Sequence, residues 1–398
     1  MRILVLDGDQ NQAVACVRSL ARQGHSVFVG ESHPWSKAGW SRYASGVFQY
    51  PSPARSAAGF VAELIVEVAK EPGTLVLPMT EVTTLPVSKH RKQFMAAGAR
   101  LVLPGHDDLM HAIDKKYTTR LARSLGLTVP KTCSVSDGDE LNDRSRSMSF
   151  PLVLKPRTSQ EHSADDALQM TGRPKYARNA DELAARFSEM RRRCSSVLVQ
   201  EFVEGTGSGY FALMDHGELR AEFAHRRIRD VHPTGSGSAL RESILPVPGI
   251  REKSLAMLRA LNWHGVAMIE YRIRPDNVPV FIEINGRFWH SLALACYAGV
   301  DFPGLLSRMV ELGDLGSAPD YKPGVKCRWL VGDLRHLIEV WKGPPAGFPG
   351  RFPGRLPTLF SELVPKLGTF HDNFMWRDPL PEIGDWIRSL QQAYERNF

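Results

Sequence analysis

The chain is poor in cysteine: Cys16, Cys133, Cys194, Cys296 and Cys327 are the five in 398 residues, and they lie far apart. No C-x-x-C pair and no Cys/His cluster at zinc spacing occurs, which excludes a disulfide framework and a zinc finger. The five read as small apolar residues in a reducing compartment. No run approaches roughly 18 consecutive apolar residues, so no transmembrane helix is expected. The opening Met1-Arg-Ile-Leu-Val-Leu-Asp7 is too short for a signal-peptide core and reads as a buried first strand. The expected location is the cytoplasm. Charge of one sign is also scarce: 50 Lys plus Arg against 43 Asp plus Glu leave +7, spread along the chain. The one tight run, Arg191-Arg-Arg193, closes a predicted helix, where cations suit the dipole. There is no nucleic-acid motif and no internal repeat. The loop Asp7-Gly-Asp-Gln-Asn11 holds one glycine where a dinucleotide fingerprint needs three, so a nicotinamide or flavin site is not expected there.

What is present is an average globular composition, 43% apolar and 23% charged, over a length suited to two or three domains. Strand-like and helix-like segments alternate at the start. Arg2–Leu6, Ser26–Val29, Leu75–Pro78 and Arg100–Leu103 read as strands; Asn11–Gln23 and Phe60–Ala69 read as helices with one apolar stripe each. That order predicts a parallel sheet covered on its faces, with ligands at the carboxyl ends of the strands. After helices near Asp107–Ile113 and Lys115–Leu125 the pattern turns to strands. Pro151–Lys155, Val197–Val203, Tyr210–Met214, Leu219–His225, Gly265–Ile273 and Pro279–Asn285 are separated in places by helices near Ala180–Arg192 and Ile250–Leu261. Beyond Gly313 the signal weakens, Lys342–Pro357 reads as a Gly/Pro-rich linker, and a last helix lies near Ile383–Arg396.

Chemistry concentrates in the hairpin Gly265–Ile273 and Pro279–Asn285. A turn symmetric about Asp276-Asn277 sets Glu270 opposite Glu283, with Phe281, Glu283 and Asn285 on one face and Val280, Ile282 and Ile284 on the other. Two carboxylates there repel unless a cation lies between them. Their oxygens and an Asn carbonyl suit Mg²⁺, although a solvated outer face of the hairpin has the same alternation. Lys155 ends an apolar strand, where an ammonium is costly without an anion. Asp114-Lys115 opens a helix, and Gln200-Glu201 closes another apolar run.

Together these residues resemble the ATP-grasp superfamily of carboxylate–amine ligases over roughly residues 1–313. The resemblance implies an α/β fold: a Rossmann-like N-terminal (pre-ATP-grasp) domain over 1–105, a two-lobed α+β ATP-grasp domain over 106–313, and a C-terminal extension over 314–398. It implies that Lys155, with Lys115 or Lys116, grips the ATP phosphates, and that Gln200, Glu201, Phe202 and Val203 form the adenine hinge. It further implies that Glu270, Glu283 and Asn285 hold Mg²⁺ (or Mn²⁺), and that Arg287 contacts phosphate and the acyl-phosphate intermediate. His232, in the stretch Val231-His-Pro-Thr-Gly-Ser-Gly, matches a substrate-side loop of the carbamoyl-phosphate-synthetase-like branch, and Arg226, Arg227 and Arg229 precede it as candidate clamps for an anion. Two departures stand out. Arg157-Thr-Ser-Gln-Glu-His-Ser163 has no glycine where the superfamily has a glycine-rich loop, and Gly207-Ser-Gly209 stands where a ribose-binding acid is expected, leaving Glu204.

The implied activity is ATP-dependent joining of a carboxylate to an amine through an acyl phosphate, releasing ADP and phosphate. The alternatives are carbamoyl-phosphate-synthetase-like phosphorylation of bicarbonate or carbamate, and a non-catalytic nucleotide-binding module. The implied partners are small carboxylates and amines, amino acids among them, read by loops that include Asp9–Asn11, Thr80–Thr84 and His290–Ser291. Nucleic acid and membrane are not among them, and a homodimer is compatible.

Overall fold

The computed structural model describes residues 1–158, 160–162, 168–170, 174–313, 315, 319–363 and 368–397. Strands β1 (Arg2–Val5), β2 (Ser26–Glu31), β3 (Gly46–Gln49) and β4 (Leu75–Leu77) form one sheet in the order β3-β2-β1-β4, every pair parallel. Its strands are apolar on both faces because both are covered. Val14, Val17 and Leu20 of helix Asn11–Arg22 pack with Ile3 and Val5, while Phe60, Leu64 and Val68 of helix Ala57–Ala69 pack with Leu4 and Leu6. Gly24, at φ 86°, makes the left-handed turn that stops the first helix. The expected strand Arg100–Leu103 forms only one bridge, Arg100 to Leu75. Pro104 follows with no N–H to extend the ladder, and Gly105 then opens helix His106–Ile113.

The next strands are β5 (Thr132–Val135), β6 (Leu152–Pro156), β7 (Gln160–His162), β8 (Leu168–Met170), β9 (Lys175–Ala177) and β10 (Val197–Glu201). An antiparallel sheet runs β5-β10-β6-β9, and β7 pairs with β8 alone. Leu183, Phe187 and Met190 of helix Ala180–Arg191 cover the apolar face made by Leu154 and Val199. Asn179 caps that helix by accepting from the Glu182 N–H, and Arg191 at its end donates to the Cys194 carbonyl at 2.7 Å.

The largest sheet holds β11 (Thr206–Asp215), β12 (Glu218–Arg229), β13 (Leu240–Ile244), β14 (Gly265–Ile273), β15 (Pro279–Asn285), β16 (Lys326–Arg328) and β17 (Thr369–His371). Its order is β15-β14-β11-β12-β13-β16-β17, antiparallel except for the final parallel pair. Alternation along β11 sorts its side chains. Phe211 and Leu213 join the core under the parallel sheet, whereas Tyr210, Ala212 and Met214 face Leu255, Leu258 and Trp263. A large apolar side chain so buried contributes roughly 1.5–3 kcal/mol each.

The segment beyond Gly313 supplies β16 and β17 and closes over the carboxyl ends of the parallel sheet. Arg18 pairs with Asp378 at 2.8 Å, Lys37 with Asp385 at 2.8 Å, and Arg241 with Asp372, all nearly sealed from solvent. Asn11 donates to Asp372, and Trp329 donates to Asp385. Among the described residues, no helix is long and apolar enough to cross a membrane.

Candidate active site

A cleft of about 740 Å³ opens between the small antiparallel sheet and the largest one. Strand parity decides what enters it. In β6, Leu152 and Leu154 face the core, while Val153 and Lys155 line the cleft. The Lys155 ammonium donates to Gln200 Oε1 at 2.9 Å, and Gln200 Nε2 donates to Thr132 Oγ1 at 2.9 Å. Burial pushes the Lys155 pKa down to about 8, with Glu283 opposing the shift.

Lys115 lines the same cleft, while Lys116 is exposed outside it. Asp114 sets this choice. Its carboxylate caps helix Lys115–Ser124 and receives both Nε (3.0 Å) and a terminal nitrogen of Arg157. Arg157 therefore ties the end of β6 to the helix that carries Lys115. The rest of the glycine-free stretch, from residue 159 on, has side chains outside the described residues.

In the β14–β15 hairpin Glu270 lies opposite Glu283 and Met268 opposite Asn285, but the turn is not symmetric about Asp276-Asn277: Ile273 lies opposite Pro279 and Arg272 opposite Val280, so it closes about Asp276 alone. The expected alternation does not persist. A register shift between Glu270 and Tyr271 pairs Tyr271 with Phe281 and leaves Ile282 unpaired, a β-bulge. Phe281 and Ile284 consequently share one core, while the adjacent Ile282 and Glu283 both line the cleft.

The two glutamates are not left to repel each other. Arg227 reaches Glu270 Oε2 at 2.7 Å, and the Lys115 ammonium lies 3.5 Å from Glu283 Oε2. Burial by itself would raise the Glu283 pKa; Lys115, then Lys155 and Arg287, overcome it and hold the carboxyl below its ordinary value. Internal cations thus correct the expected repulsion. Arg227 gets there by crossing β11 at Gly207, where a Cβ would stand 2.7 Å from its Cδ. Gly207, the first of the glycines found where an acid was expected, clears this path.

Of the three candidate clamp arginines only Arg227 faces the cleft. Arg226 pairs with Glu242 at 2.6 Å, and Arg229 with Asp333 at 2.7 Å and Glu362 at 2.6 Å. Period-two alternation separates 226 from its neighbour, and the shifted pairing between Arg227 and Arg229 carries 229 away toward the C-terminal segment. His232 lines the cleft in a tight turn, its N–H donating to the Ser236 carbonyl at 3.0 Å. Arg287 donates to Asn285 Oδ1 at 3.2 Å and to the Phe288 carbonyl at 2.9 Å, beside Glu283 but off the cleft wall.

Gln200, Glu201, Phe202 and Val203 form one rim. The Glu201 carboxylate is engaged, accepting from the Ser149 N–H at 2.9 Å, and the Glu201 and Phe202 N–H groups donate to the Lys131 and Pro151 carbonyls, each at 3.0 Å. Phe202 packs edge-on against Tyr176 and Phe348, with centroids 6.2 and 5.9 Å away. That contact corrects the linker expectation for Lys342–Pro357: Lys342, Gly343, Pro344, Pro345 and Phe352 line the cleft. Glu204 lies off the cleft, 4.0 Å from the exposed Arg351.

Sequence reasoning missed Arg272, which shares parity with Glu270 on β14 and clasps the Gly205 carbonyl (2.8 Å) and the Gly235 carbonyl (2.9 Å) across the cleft. That parity was available; the contribution of Tyr176 and Phe348 was not, since no pattern links residues so far apart. The loops expected to read substrates are occupied within the fold. Thr80 and Thr83 bind Asp7, Asn11 lies in the C-terminal charge network, and Ser291 Oγ sits 2.9 Å from His225 Nε2.

Two sheets face each other across the cleft, with Lys155 on one and Glu270 and Glu283 on the other, and the proteins to which the chain is similar belong to the ATP-grasp superfamily. No protein-family model matches it. It is 26% identical over 223 residues to a D-alanine–D-alanine ligase of Nitrosospira multiformis, covering 52% of this chain and 68% of that protein. It is 24% identical over 238 residues to the carbamoyl phosphate synthase large chain of Gemmatimonas aurantiaca, covering 57% of this chain and only 21% of that one. The fold is similar to that of the biotin carboxylase domain of Hydrogenobacter thermophilus 2-oxoglutarate carboxylase, with a TM-score of 0.64, 14% identity, and coverage of 82% and 73%.

Proposed function

We propose that this chain is an ATP-dependent ligase that joins a carboxylate to an amine, releasing ADP and phosphate. One observation carries the reading: Lys115, Lys155, Glu270 and Glu283 converge on a single cleft whose rim is Gln200–Val203. Lys115 and Lys155 would bind the nucleotide phosphates, with Gln200 holding the Lys155 ammonium in place. The rim would take the adenine. Glu270, Glu283 and Asn285 are all oxygen donors on one stretch of hairpin, a set that fits Mg²⁺ or Mn²⁺. Such an ion supplies charge neutralisation at the phosphoryl group. Glu270 and Glu283 would exchange their contacts with Arg227 and Lys115 for it, freeing both cations to face phosphate. A carboxylate oxygen attacks the γ-phosphorus and ADP leaves. The amine nitrogen then attacks the acyl carbon, losing a proton as phosphate departs, with Arg287 and His232 on the substrate side. Catalysis here is positioning and neutralisation of charge.

The division at 1–105, 106–313 and 314–398 is part of the proposal, with the last segment a cover over the first. So are a location in the cytoplasm and a homodimer. A second reading takes bicarbonate as the carboxylate, favoured by the likeness to a biotin carboxylase domain whose structure holds MgADP and bicarbonate. The test is ADP release with Mg²⁺ present, across amino acids and other carboxylates alone and paired, and with bicarbonate alone. Release that requires both a carboxylate and an amine is expected. Release driven by bicarbonate alone selects the second reading, and ATP binding with no release under any pairing overturns both.

A further inference from the structure

Arg272 lines the cleft from β14, and no step of the proposed reaction uses it. Two backbone carbonyls from different loops hold its guanidinium. One terminal nitrogen donates to Gly205 at 2.8 Å and the other to Gly235 at 2.9 Å. Gly235, at φ 100°, permits that approach, since a Cβ there would collide with the guanidinium. Unlike Lys115 and Arg227, Arg272 makes no ion pair among the described residues. A guanidinium carries five N–H donors and no acceptor. Two are spent on the carbonyls, so three remain on a group that lines the cleft, and a ligand that meets them must offer acceptor atoms.

Position decides which atoms those are. Gly205 follows the rim Gln200–Val203 by two residues, so the contact with it sets Arg272 beside the end of the rim. On β14, Arg272 shares a face with Glu270 and lies two residues, about 7 Å, from it. Glu270 stands opposite Glu283, beside which lies the Lys115 ammonium. A nucleotide with its base on the rim and its phosphates at the lysines crosses this interval with its sugar. The 2′ and 3′ oxygens of a ribose are adjacent neutral acceptors, suited to the N–H groups of one guanidinium plane. The acids of this end are otherwise engaged: Glu201 accepts from the Ser149 N–H, Glu339 pairs with Lys342 at 3.2 Å, and Glu204 lies off the cleft.

We propose that Arg272 reads the ribose of the bound nucleotide, donating to its 2′- and 3′-hydroxyl oxygens, and so selects ribonucleotides over their deoxy counterparts. The two carbonyls orient the guanidinium before the nucleotide arrives, which reduces the ordering cost of binding. This inference rests on the reading of the cleft as a nucleotide site.

The test titrates the full chain, in excess Mg²⁺, with ADP and with 2′,3′-dideoxy-ADP by calorimetry, so that affinity is read without turnover. Wild-type protein is expected to bind the dideoxy nucleotide at least about tenfold more weakly, the scale of hydrogen bonds donated by a charged group. In Arg272→Met, ADP affinity should fall to that of the dideoxy compound, bringing their ratio close to one. Arg272→Lys keeps the charge without the fork and should shrink the ratio too, which preserves the test if the methionine variant does not fold. A role confined to bracing Gly205 and Gly235 would weaken both nucleotides equally and leave the ratio unchanged, and that result overturns the inference. So does wild-type protein that binds ADP and its dideoxy analogue alike. Wild-type protein that binds no ADP overturns the nucleotide site itself, and the inference with it.

Discussion

Under the C-terminal segment, Arg18, Lys37 and Arg241 meet Asp378, Asp385 and Asp372 in pairs that solvent hardly reaches. In the cleft, Lys115, Lys155, Arg227 and Arg272 stand near Glu270 and Glu283, but around a cavity of about 740 Å³. Both regions are dense in charge, and both draw on residues far apart in the chain. They differ in completeness. Each buried pair is closed by further hydrogen bonds, such as Asn11 and Asn373 on the acids, so it holds the cover in register. In the cleft, Lys115 and Arg227 instead have as partners carboxylates also suited to a metal, so that pairing is exchangeable. Charge clusters alone do not mark a site; charge clusters around open volume do.

The largest expected effect lies in the buried region. Asp372→Ala strands the Arg241 guanidinium, both side chains being 0% exposed. Breaking such a pair from one side is expected to destabilise the protein by about 3–5 kcal/mol, read from chemical denaturation. If stability falls by less than about 1 kcal/mol, the cover is not held by its charges and the contrast fails.

The cleft should respond in the opposite manner. Lys155→Met is expected to lower ADP release by about a hundredfold or more, the effect of losing one well-placed charge at a transition state, with little change in unfolding midpoint. Its hydrogen-bond partner Gln200 remains tied to Thr132. A variant that unfolds instead, or turns over normally, assigns Lys155 to the scaffold.

Between the two lies the segment that touches both. Phe348→Ala removes the ring packed on Tyr176, at 5.0 Å between centroids, and on Phe202. Nucleotide affinity in a calorimetric titration should fall by about tenfold, the loss of roughly 1.4 kcal/mol of packing. Unchanged affinity would separate the C-terminal segment from the cleft.

The smallest effect is a pH dependence confined to the cover. Burial, then the neighbouring Asp385, raises the Glu382 pKa to about 7. The folded protein holds this proton between the unfolded pKa of a glutamate, about 4.3, and about 7. Its contribution to stability is therefore full below that window and is lost as pH rises through it. Glu382→Gln should flatten the slope of stability between pH 5 and 7 without altering the pH dependence of turnover. An unchanged slope would show that Glu382 does not titrate there.

Local pattern was enough for much of this. The parallel sheet follows from short apolar strands alternating with striped helices, because a strand and an amphipathic helix are each written at their own period. The sequence positions of Lys155, Lys115, Glu270 and Glu283 were also legible, since an isolated charge at the end of an apolar run, or an acid within each strand of a hairpin, stands out against its neighbours. The β14–β15 bulge was not, because one extra residue leaves no mark in a sequence yet sends the adjacent Phe281 and Ile282 to different environments.

By itself, then, the sequence determined the main strands and helices, the existence of the β14–β15 hairpin and the residues with chemistry to offer, while the facing of Glu270 and Glu283 came from the bulge at Ile282. Only the tertiary structure decided which of Arg226, Arg227 and Arg229 enters the cleft, that Gly207 clears its path, and that the weakly patterned residues beyond Gly313 finish a sheet and wall a site. The reason is physical. Secondary structure is read from neighbours a few positions apart, whereas pairing a charge or filling a wall depends on which distant segments arrive, and that is settled by packing the whole chain at once.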